Sequence, residues 1–103
     1  MKDVGNKPDT RRSARASCVL HAPADCIERL RQGNTDKGDA LKTGRVAGIL
    51  AAKRTDELIP LCHPLPIHRA DIDYELGDTQ VKVIATVETI GPTGVEMEAL
   101  AAA

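Results

Sequence analysis

Four short patches in these 103 residues set reactive side chains beside backbone breakers, and each admits more than one chemistry. Lys37-Gly38-Asp39 brings an ammonium to a helix entrance, where unpaired backbone N–H groups also attract anions. Asp39 serves equally well as a plain helix cap, which would leave Lys37 in solvent. Lys53-Arg54 could clamp phosphate, the guanidinium by its planar fork and the ammonium as a point charge. The same pair could simply complement the negative end of a helix dipole. Leu61-Cys62-His63-Pro64 is held extended by Pro60 and Pro64, so Cys62 and His63 point to opposite sides and make no evident nucleophile–base pair. His63 can shuttle protons or contact a ligand. With His68 and Cys62 it could bind a metal, though a structural zinc takes about four ligands. In Thr93-Gly94-Val95-Glu96-Met97-Glu98 the two carboxylates share a side only if the chain is extended, because two helical steps turn them about 200° apart. Paired, they suit acid–base work or the amidine-like edge of a guanine or pterin; unpaired, they are an acidic helix start. No hydrolase elbow, P-loop or GxGxxG spacing occurs.

These patches need elements to hold them. Residues 1–12 carry Gly5 and Pro8 and read as an irregular arm. Ser13 to His21 alternates, with Ala14, Ala16, Cys18 and Leu20 on one side, which predicts a half-buried strand. Ala24 to Gln32 follows Pro23 and stops at Gly33, a short amphipathic helix burying Cys26, Ile27 and Leu30. A second helix is predicted over Asp39 to Leu58, with Val46, Ile49 and Leu50 as its apolar stripe and Ala47 and Ala51 allowing close approach. His68, Ala70, Ile72, Tyr74 and Leu76 then alternate with acidic or basic neighbours, turn at Gly77-Asp78-Thr79, and return through Val81, Val83, Ala85 and Val87 as a hairpin. Gly91-Pro92 breaks it, and a last helix begins near Val95. Grouping the helices on one face of the sheet gives an α+β layer.

Composition narrows the function. Fourteen basic residues against fifteen acidic ones give a net charge of −1, and Tyr74 is the only aromatic side chain. Neither a basic field nor a set of stacking platforms is offered to nucleic acid, and the longest weakly polar run, residues 46–52, is far too short for a bilayer. Three cysteines without a C-x-x-C pair, and an N-terminus without an apolar leader, point to a reduced cytoplasmic protein. A core of Ala, Val, Ile and Leu buries modest area in a chain this short, so oligomerisation is expected to add buried surface.

Taken in order, Lys-Gly-Asp at 37–39, Ala-Gly-Ile-Leu-Ala-Ala-Lys-Arg-Thr at 47–55, Leu-Ile-Pro-Leu-Cys-His-Pro-Leu at 58–65 and Thr-Gly-Val-Glu-Met-Glu-Ala-Leu at 93–100 resemble the cyclic pyranopterin monophosphate synthases of molybdenum-cofactor biosynthesis. The opening Met-Lys-Asp-Val-Gly-Asn-Lys, with Thr10 and Arg12, is similar to that family's start, so the likeness covers the whole chain.

The resemblance implies a ferredoxin-like α+β fold and an enzyme that converts 3′,8-cyclo-7,8-dihydro-GTP to cyclic pyranopterin monophosphate with release of diphosphate. It calls for no cofactor, and for a dimer-based hexamer with sites at subunit interfaces. By motif position, Lys37, His63 and Glu96 would be catalytic, while Arg12, Leu61, Cys62, His63, Met97 and Glu98 would bind substrate. Gly44 and Ala101 stand where the family commonly has Ala and Thr. The family's Tyr-Asp-Met-(Cys/Leu)-Lys helix segment and its Lys-x-Gly-Gly-Lys-Ser-Gly tail do not occur in these 103 residues. On that reading residues 1–103 are one domain, the N-terminal two-thirds of the family's, with a sheet incomplete at the C-terminus. The chain alone is then expected to bind substrate with little or no turnover.

Overall fold

In the computed structural model, which describes residues 10–33, 38–60 and 62–103, the chain runs β1 (Thr10–His21), α1 (Ala24–Gln32), α2 (Ala40–Lys53), α3 (Thr55–Leu58), β2 (Arg69–Leu76), β3 (Gln80–Gly91) and α4 (Glu96–Ala102). The period-2 pattern settles the sheet. β3 lies between β1 and β2, antiparallel to both, in the order β1-β3-β2. β1 and β2 are therefore parallel with one strand between them, the split arrangement of a ferredoxin-like α+β fold.

Register fixes what each face carries. Ala14, Val87 and Ala70 make one row across the three strands, and Ala16, Ala85 and Ile72 the next. Helices α2 and α4 cover this face, burying Ala52, Ile72, Ala85, Val87, Val95, Ala99 and Ala102 together. The opposite face carries Ser13, Glu88 and Arg69 in one row and Arg15, Thr86 and Asp71 in the next. There Glu88 is gripped by Arg11 at 3.0 Å and Arg69 at 3.5 Å. Exposed pairs of this kind contribute about 1 kcal/mol or less.

Local chemistry explains the helix ends. Asp39 Oδ1 accepts from Leu41 N at 3.1 Å and Lys42 N at 3.2 Å, satisfying orphan donors of α2. Gly33 closes α1 at φ 67°, a left-handed turn that costs glycine nothing. Among the described residues no helix is long and apolar enough to cross a membrane.

Several expectations need correction. The irregular arm ends earlier than Arg12, because the β1–β3 ladder extends to Thr10 opposite Gly91. The single helix over 39–58 is two: Thr55 turns its hydroxyl back to the Ala51 and Ala52 carbonyls, both at 2.9 Å, and α2 breaks at Arg54. The apolar stripe on α2 is also reversed. Val46 and Leu50 are 59% and 47% exposed, and Ile49 is only half-buried, whereas Gly48 and Ala52 are buried. The face turned to the sheet is the small one, Gly44, Gly48 and Ala52, spaced four apart. A Cβ at Gly48 would stand 2.8 Å from Ile72 Cδ1 and 3.0 Å from the Ala102 carbonyl, so glycine is what lets α2 lie between β2 and the end of α4. Cys18, Leu20 and Cys26 are exposed rather than buried. On β3 the structure adds Ile84, buried from the opposite face to Val83 and Ala85.

Candidate functional site

Two of the reactive patches meet. After α3, Ile59 and Pro60 lead into the extended segment 62–67; after β3, Pro92, Thr93 and Gly94 lead into α4. Between them opens a cleft of about 530 Å³ walled by Ile59, Pro60, Leu65, Pro92 and Met97, with Cys62, His63, Thr93, Glu96 and Glu98 as its polar groups. A mostly apolar concavity with a few convergent polar atoms is the usual form of a small-molecule site.

Each side chain has a reason for its place. Helix α4 begins at Glu96, so Glu96 and Glu98 point apart: Glu98 is 3% exposed and Glu96 is in solvent. The carboxylates are not the matched pair an extended chain would give. Glu98 instead reaches Cys62, whose Sγ donates to its Oε2 at 3.8 Å. Burial and the Glu98 carboxylate push the Cys62 thiol above its ordinary range, with smaller contributions from Asp56 and Glu96. Cys62 is a neutral thiol at pH 7 and not an activated nucleophile. Glu96 folds back over Gly94, whose missing side chain makes the room; a Cβ there would lie 2.5 Å from Glu96 Oε2.

The other expected site residues are dispersed. Arg12 is half-buried on β1 and donates Nε to the Gly91 carbonyl at 3.0 Å, one residue before the cleft wall. Lys37 and Leu61 lie outside the described residues. Lys53 and Arg54 are exposed at the end of α2 and take no part in the lining, which fits the dipole reading of that pair. His68 does not converge with His63. Its Nδ1 accepts from Ile90 N at 3.2 Å at the far end of segment 62–67. Among the described residues no three His, Cys, Asp or Glu side chains gather to hold a metal.

Sequence reasoning missed Ile59, Pro60, Leu65 and Pro92 as walls, and Thr89, which is buried and donates its hydroxyl to the Pro66 carbonyl. Clustered prolines signalled rigid segments there, but nothing in their spacing said which of them would face each other.

The domain is α+β, with an apolar, carboxylate-bearing cleft beside the segments that lead from α3 and into α4. The chain matches the family described as the MoaC family across residues 1–103, and it belongs to that family. It is 45% identical over 100 residues to the probable cyclic pyranopterin monophosphate synthase of Methanosarcina mazei, covering 97% of this chain and 64% of the relative. To the cyclic pyranopterin monophosphate synthase of Thermomicrobium roseum it is 49% identical, covering 99% of this chain and 63% of the relative. To that of Nitratidesulfovibrio vulgaris it is 50% identical, covering 100% and 65% respectively. The chain thus spans under two thirds of the length of these relatives.

Proposed function

We propose that the cleft is the ring-binding part of a cyclic pyranopterin monophosphate synthase site, taking 3′,8-cyclo-7,8-dihydro-GTP on the way to cyclic pyranopterin monophosphate and diphosphate. The observation that carries this is Glu98, a carboxylate buried at the base of an apolar cleft. A guanine-derived ring presents adjacent N–H donors on one edge, and a carboxylate is the acceptor that matches them. Leu65, Pro92 and Met97 supply flat apolar contact to the ring faces, and the Cys62 thiol fixes the Glu98 carboxylate as it waits for them.

The triphosphate is held elsewhere. Among the described residues the lining contains no lysine or arginine and two glutamates, so it would repel phosphate. We assign that end to Arg12, through its terminal nitrogens beyond the Nε that holds Gly91. His63 and Glu96, both exposed at the cleft, are the proton-transfer groups together with Lys37, and Leu61 and Met97 are substrate contacts. The relatives named above support this reading by their names. The large exposed apolar side chains Val46, Leu50, Leu58 and Leu100 support self-association, and three free cysteines suit a reducing cytoplasm.

The test is incubation of this chain with the cyclised GTP, following diphosphate and pterin while measuring binding. Saturable binding of the cyclised GTP is the expected result, with any turnover read as diphosphate and pterin formed together. Failure to bind would refute the assignment.

A further inference from the structure

The pairing of β2 with β3 stops at the first residue of β2, Arg69, opposite Glu88, but β3 continues to Gly91. Beyond that last rung the Ile90 N–H faces a place that no residue of β2 fills. His68 fills it: the His68 N–H donates to the Glu88 carbonyl at 2.9 Å, and its imidazole Nδ1 accepts from Ile90 N at 3.2 Å. A side chain thereby replaces the next carbonyl of the ladder. The neighbouring Thr89 hydroxyl is 3.5 Å from the same Nδ1 and spends its one proton on the Pro66 carbonyl. Nδ1 is therefore the acceptor and Nε2 carries the ring proton.

The position of this junction gives it consequence. On one side of it the chain is segment 62–67, which carries Cys62, His63 and Leu65 into the cleft; on the other it is Pro92, Thr93 and Gly94, the facing wall. Both segments lack a ladder of their own. Their separation is set where they leave the sheet, by His68 to Ile90 and by Thr89 to Pro66.

We propose that His68 is a positioning residue for the cleft: its Nδ1, by holding the Ile90 N–H, fixes the distance between the Cys62-His63 wall and the Pro92-Gly94 wall. It touches no substrate. Its effect on ligand binding rests on the reading of the cleft as the substrate site, whereas its effect on the walls does not. An acceptor at the δ position is the only chemical requirement. Asparagine meets it with Oδ1, glutamine places its acceptor one bond too far, and alanine has none.

The experiment compares wild type with His68→Ala, His68→Asn and His68→Gln by nitrogen–proton NMR, below the melting temperature of each, with cyclised GTP as the titrated probe. Losing one such bond is expected to weaken binding about tenfold in His68→Ala and His68→Gln, and about twofold or less in His68→Asn. In the free proteins the amides of Cys62, His63, Leu65, Ile67, Thr93 and Gly94 should shift together in His68→Ala and return in His68→Asn. Wild-type His68 should show an unprotonated Nδ1 and a protonated Nε2. Equal binding by wild type and His68→Ala, or equal weakening in Ala and Asn, would overturn the proposal. Should wild type itself not bind, the substrate reading fails and the free-state amides decide: shifts rescued by Asn uphold His68 as the spacer, and unmoved wall amides in His68→Ala refute it.

Discussion

Cys62 Sγ sits 3.8 Å from the buried Glu98 carboxylate, which holds its proton and makes it a donor and a poor nucleophile. Burial is the larger cause of its raised pKa and the Glu98 charge the next. The thiolate is the species that alkylates, so the rate of Cys62 modification by iodoacetamide should climb only at pH values above the ordinary thiol range. Glu98→Gln removes an anion but keeps the burial. It should move that rate profile to lower pH without bringing it below the ordinary range, as followed by peptide mass spectrometry. A profile that stays put or moves upward would mean that Glu98 is not charged beside Cys62. Part of this was legible beforehand: the Leu-Cys-His-Pro and Gly-Val-Glu-Met-Glu strings singled out Cys62, His63, Glu96 and Glu98, the ionisable groups of the cleft, though not its apolar walls. Their meeting was not legible, because it depends on where β3 and α3 end.

At the scale of elements, strands were easier to read than helices. A strand facing one core must alternate, and β2 and β3 did so except at Ile84, which is buried from the other face. Helix α2 misled because the large apolar residues were taken for its buried side. Its inner face carries almost no side chain, since the backbone must come within reach of Ile72 and Ala102. Gly44 belongs to that face and has a partner of its own. Tyr74 Oη donates to the Leu41 carbonyl at 3.0 Å, and a Cβ at Gly44 would meet that hydroxyl at 2.6 Å but the ring carbon behind it at 3.7 Å. Alanine in a helix interior gains about 1 kcal/mol over glycine, and displacing a hydrogen-bonded hydroxyl costs about as much. Gly44→Ala should therefore change the stability of the wild type little or adversely. In a Tyr74→Phe background it should stabilise by about 1 kcal/mol more than in wild type, a coupling that a double-mutant cycle of urea melts would read. Additive effects would mean that Tyr74 and Gly44 were not selected as a pair.

For the whole molecule, the same reversal of α2 leaves Val46 and Leu50 facing outward, with Leu58 of α3 and Met97 and Leu100 of α4 exposed as well. A core this poor in large side chains gains from covering them. Light scattering behind size exclusion should find at least twice the protomer mass, falling toward one protomer in Leu50→Lys; a monomeric wild type would remove self-association from the account. The most direct test of the central claim is calorimetric titration of this chain with 3′,8-cyclo-7,8-dihydro-GTP, wild type against Glu98→Gln. If the carboxylate reads the N–H edge of the ring, losing that charge-assisted contact should weaken binding about tenfold or more while the protein stays folded. Equal affinity in the two proteins would place the ring somewhere other than against Glu98, and the assignment of the cleft would be wrong.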